Sequence, residues 1–148
     1  MKYSILLGRI MFAAIFVAAA PGHFIPATIQ AAASHGVPMA SFLVPLSGII
    51  AFAGGLSVMI GYKARLGAWL LVLFLVPVTI AMHNFWAVQD ATMAQTQQAM
   101  FMKNIALMGG ALMVAYFGAG PLSLDARVKS QLLPHQTIIE PTASAEHT

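Results

Sequence analysis

Four apolar stretches, residues 4–20, 39–61, 66–82 and 99–117, take up most of a chain of 148 residues and decide what it can fold into. Each approaches the roughly 20 apolar residues that cross a hydrocarbon core as a helix. In lipid every backbone N–H and C=O must be satisfied internally, which leaves helices and closed barrels. The runs are continuous rather than alternating, so helices are expected. With 59% hydrophobic and only 7% charged residues, the composition is far from that of a soluble domain. The expected fold class is therefore all-α: an integral membrane four-helix bundle, with the transmembrane domain over residues 1–133. The polar, proline-containing residues 134–148 have too little apolar content to pack and are expected to form a disordered cytoplasmic tail.

The cations fix an expected orientation. Lys2 and Arg9 lie before or within the first span, Lys63 and Arg65 between the second and third, and Arg127 and Lys129 after the fourth. The other two connections, residues 21–38 and 83–98, contain no lysine or arginine. The positive-inside rule then places both termini in the cytoplasm of a bacterial inner membrane, with the cation-free loops outside. A computed pI of 9.6 would suggest nucleic acid in a soluble chain, but these single flanking cations read as topology signals, and no nucleic-acid partner is expected. The run Ala18-Ala19-Ala20 resembles a cleavable secretory signal. Pro21 at the cut and Arg9 within the apolar core argue that the segment stays as a span. The chain has no cysteine, which excludes disulfides and thiolate metal sites.

Local punctuation predicts two shorter helices. Pro21-Gly22 ends the first span, and residues 27–34 are helix formers bounded by Pro26 and Gly36-Val37-Pro38, which suggests a short interfacial helix. After Gly118 and Gly120-Pro121, Ser123 can cap an amphipathic segment whose Leu124, Val128 and Leu132 form one face. Its cations would meet anionic headgroups. Small residues four apart, Ser47, Ala51 and Gly55 on span two and Ala106 and Gly110 on span four, predict close helix contacts. Pro77 is expected to bend span three. Arg9 and Arg65 are expected to pair with Asp125 as a structural clamp, and Asp90 to be a solvated loop residue.

These landmarks carry a resemblance. Arg9, Gly36-Val37-Pro38, Gly54-Gly55 leading to Gly61 and Arg65, His83 with Trp86, the run Phe101 to Leu107, and Gly118 to Asp125 occur in the order and spacing of the DoxX family, over roughly residues 5–126. The chain resembles that family of small bacterial four-helix membrane proteins. The resemblance implies membrane subunits linked to quinone and thiosulfate oxidation, and a link to oxidative-stress handling. Where many such relatives carry a glutamate shortly before the paired glycines, this chain has Ala51.

Independently of that resemblance, Thr79, His83 and Trp86 fall at i, i+4 and i+7 and share a face of span three if the helix runs that far. Lys103 and Asn104 lie near the same end of span four. An intramembrane lysine is costly enough to mark a functional site. A lysine, an imidazole and an indole around an apolar space suit a quinone headgroup, whose carbonyls accept hydrogen bonds and whose ring stacks. Against this, tryptophan and histidine also anchor helices at the interface and lysine snorkels. His23 reads as an interfacial residue. Met82, Met93, Met100 and Met102 lie near His83, but no regular ligand spacing organises them and no metal site is assigned. The expectation is a membrane component of a redox system acting near the quinone pool, with a lipid bilayer, a redox protein partner or a second copy as partners. The alternatives are a non-catalytic scaffold that anchors a partner protein, and a small-molecule transporter or permeability factor.

Overall fold

The computed structural model describes residues 2–132, and within them the chain is predominantly helical, without strands. The long helices are α1 (Lys2–Ala19), α3 (Ala40–Ile60), α4 (Ala64–Met82) and α5 (Ala91–Phe117), with α2 (Pro26–Ser34) and α6 (Leu124–Leu132) as the short ones. Four helices are long and apolar enough to cross a membrane, and the protein is an integral membrane helical bundle. The tail expected over 134–148 lies outside the described residues.

Three boundaries follow directly from residue chemistry. Pro26 opens α2, where its missing N–H costs nothing. Gly61 closes α3 at φ +71°, a left-handed conformation that favours glycine. Its N–H and that of Tyr62 return to Val58 O (3.2 Å) and Ser57 O (3.1 Å), the paired bonds of a Schellman end. Ser123 caps α6 as its position suggests, accepting from the N–H of Ala126 at 3.1 Å. One boundary differs from expectation. α5 starts at Ala91, well before residue 99, because Asp90 is its N-cap, accepting from Met93 N at 2.8 Å. Asp90 is therefore not merely a solvated loop residue. The first turns of α5 are helix formers too polar to register as a span.

α3 is the hub, packing on α1, α2 and α4, while α5 packs on α4. The buried residues of α4, Ala64, Gly67, Ala68, Leu71, Leu75 and Thr79, form one stripe at helical period. Where α3 crosses α4, Gly54 and Gly67 face each other: a Cβ on Gly54 would lie 2.8 Å from Gly67 O, and one on Gly67 would lie 2.9 Å from Gly54 O. On its other side α3 meets α1 through Gly55, whose added Cβ would lie 2.9 Å from the Phe16 Cβ. Ala51 is buried in the same ridge. The expected ridge of span four holds only in part. Gly110 packs under Phe12, but Ala106 is exposed, because the inward face of α5 runs through Asn104, Leu107 and Ala111 instead.

At the end of the bundle that carries Lys63, Arg65 and Lys129, called here the basic end, two connections and helix α1 are tied down. The buried Arg9 guanidinium donates to Ala119 O and, at 2.8 Å, to Leu122 O. Asp125 makes no direct carboxylate bond to Arg9 or Arg65, contrary to the expected clamp. Its two carboxylate oxygens accept from the backbone N–H groups of Lys63 (2.7 Å) and Ala64 (3.0 Å), capping α4, and its own N–H donates to Gly61 O at 2.8 Å. Helix N-termini attract carboxylates through unpaired N–H groups and the helix dipole, which explains the choice.

Candidate functional site

α1 and α5 approach each other mainly through side chains, and at the end opposite the basic one a cavity of about 160 Å³ lies where they meet α4. Its walls are largely apolar, from Ile15, Phe16, Phe74 and Leu75, and its polar groups come from His23, His83, Lys103 and Asn104. Ala51 lines the α3 side.

The residues singled out from sequence separate into two groups. His83, Lys103 and Asn104 share the cavity. Asn104 is only 5% exposed and occupies the inward face of α5 among apolar neighbours, whereas Lys103 is exposed and its Nζ approaches Met100 Sδ at 3.5 Å. Thr79 and Trp86 lie elsewhere. α4 ends at Met82, so the face that would have carried Thr79, His83 and Trp86 together is broken one residue before His83. Thr79 is buried in the core stripe, and its hydroxyl has no hydrogen-bond partner. Trp86 sits in a 3-10 turn, 61% exposed, edge-on to Phe85 and Phe101 at 5.2 and 5.9 Å. That aromatic cluster covers the turn between α4 and α5.

Two contributors escape the sequence reading. Gln97 Oε1 accepts from His83 Nδ1 at 2.8 Å, fixing the imidazole against α5. Residues 83 and 97 belong to different helices, and no periodicity connects them. His23 lies in the 3-10 turn after α1 and faces inward because Gly48 lets that turn press on α3: a Cβ on Gly48 would lie 2.6 Å from the His23 Cβ. The His23 ring packs edge-on to Phe74 at 5.6 Å, with Nδ1 3.3 Å from Ala19 O. Among the described residues, no cluster of three or more histidine and acidic side chains is placed to hold a metal ion.

A model of the SURF4 family matches residues 27–131, and the chain belongs to that family. It is 30% identical over 123 residues to Inner membrane protein YqjF of Escherichia coli, covering 82% of this chain and 88% of that protein. Inner membrane protein YphA of the same organism is 25% identical over 100 residues, 68% of this chain and 71% of that protein. ER-derived vesicles protein ERV29 of Saccharomyces cerevisiae is 31% identical over 81 residues, 55% of this chain but only 26% of the yeast protein. No solved structure matches. The SURF4 match overturns the resemblance to the DoxX family. The structure shows why those landmarks misled: Gly54 permits a close backbone crossing, Gly61 ends a helix and Asp125 caps one. Such positions report what a compact membrane bundle needs rather than one particular family.

Proposed function

We propose that this SURF4-family protein sits in the bacterial inner membrane, as its Escherichia coli relatives are named for doing, and binds a small aromatic carbonyl compound of the quinone type in the cavity between α1, α4 and α5. The single observation that carries this is the convergence of His23, His83, Lys103 and Asn104 on one apolar space. Asn104 holds its carboxamide on the inward face of α5 beside this space, and imidazole, ammonium and amide N–H groups suit the oxygens of a quinone headgroup. A role as the membrane component of a redox system is what such a ligand implies, and the electron partner would be a separate protein. Both termini and the basic end are assigned to the cytoplasm, following the distribution of cations.

Titration of the purified protein with a short-chain quinone tests this reading. His83→Ala and Lys103→Met should each weaken binding roughly ten- to a hundredfold, the worth of one hydrogen bond to a charged or polarised donor in a poorly hydrated site. Equal affinities in wild type and both variants, or no binding at all, would remove the proposal. A scaffold role is the second reading, favoured by Ala106 and Gly109, exposed small residues on the outward face of α5. It predicts that Gly109→Leu leaves the bundle folded yet lowers its apparent mass on size exclusion.

A further inference from the structure

A second cavity, of about 360 Å³, lies between α2, α3 and α4, directly behind the first. The two share His23, Phe74 and Val78 as common wall. The first is where polar side chains converge. The second is walled chiefly by hydrocarbon from residues such as Val44, Ile50, Val78 and Met82, and one of its few polar groups, the Ser47 hydroxyl, is already spent on Val44 O at 2.7 Å. We propose that the two cavities form one site for an amphiphile, with a carbonyl-bearing head in the first and a single hydrocarbon chain in the second, and that the edge-on His23–Phe74 pair marks the junction between them. This rests on the reading of the first cavity as a head site.

Three features favour one ligand over unrelated lipid in the second space. The cavities are separated by side chains that they share, since His23, Phe74 and Val78 line both. His23 stands at that wall with Nδ1 as its engaged ring nitrogen, so the rest of the imidazole is available to a polar group arriving at the head of a chain and is wasted on the middle of an acyl tail. The position of His23 is also built in: Gly48 is the residue that lets its backbone lie against α3, and any side chain there would push the ring away from Phe74. Together the cavities reach the few hundred Å³ typical of small-molecule sites, which the first alone does not.

The experiment uses the full chain in nanodiscs with a quinone bearing a chain of moderate length that ends in a photoreactive diazirine. After irradiation, adducts are mapped by mass spectrometry, with and without an excess of the chainless quinone. Adducts are expected within residues 43–50 and 73–82 and should disappear when the chainless compound competes. Filling the second cavity with Ala81→Phe should reduce labelling there about tenfold, because an overpacked space excludes the chain. The same variant should bind the chainless compound within about twofold of wild type, the sites being separable. Ile50→Phe serves the same purpose from α3 should Ala81→Phe fail to fold. Competed adducts scattered over the outward faces of α1 and α5 would overturn the chain site and leave the head site standing. Adducts that the chainless compound does not displace would overturn the head site, and this inference with it.

Discussion

Arg9 is the residue whose role the sequence hints at and the structure redefines. An arginine in a membrane span is costly unless its donors are used, and here two of them reach carbonyls in the link between α5 and α6 rather than a carboxylate. The planar guanidinium reaches each carbonyl with a separate nitrogen of a fixed fork, a geometry that the single nitrogen of an ammonium does not reproduce. Arg9→Met should therefore destabilise the protein by at least about 2 kcal/mol, since buried carbonyls would lose charged donors, and Arg9→Lys should fall between the two. Unfolding in mixed micelles measures this; an Arg9→Met variant as stable as wild type would show that the carbonyls find other partners. Asp125→Ala should cost about 1 kcal/mol, the usual loss for a helix cap, and the same titration reads it.

Among the elements, α3 and α4 are joined where glycine meets glycine. Gly67→Ala should destabilise by about 1–3 kcal/mol, since the added methyl has only the α3 backbone and Ser57 to push against. Gly109→Ala, with nothing within 4 Å of the added carbon, should be neutral or gain about 0.5–1 kcal/mol from better helix propensity. Thermal retention of folded protein separates the pair, and equal behaviour would place the α3–α4 crossing elsewhere. Gly55 and Ala51 were legible in the sequence because they repeat at helical spacing. Gly67 was not, because a contact between glycines shows only when the partner helix is in place. The same limit applies to the candidate site. His83, Lys103 and Asn104 lie near the ends of two apolar runs and could be paired on that ground, but Trp86 was grouped with them by a helical period that α4 does not sustain past Met82. His23 turned inward for a reason held on another helix, at Gly48.

At the scale of the whole molecule, all the described cations except Lys103 cluster at or beside the basic end, and the bundle has a clear polarity. Reporters fused after Gly61 and after Arg127 should report a cytoplasmic location and one near Asp90 an external one, as cation placement dictates. An external reporter after Gly61 would invert the assignment. Cavities open at both ends of the seam between α1 and α5, and the one at the basic end is lined in part by Phe12 and Gly110.

The bonds that Arg9 makes to Ala119 and Leu122 also set a timetable for biogenesis. Helix α1 is synthesised before the other described helices, yet the acceptors of its arginine are more than a hundred residues away in the chain. Throughout most of translation Arg9 must stay solvated at the membrane surface or be shielded by the insertion machinery, so α1 cannot settle to its final depth. Only once residue 122 has been synthesised can the first span lock into the bundle. A nascent chain broken off before that point keeps an unsatisfied guanidinium in its first span, which marks it as unfinished.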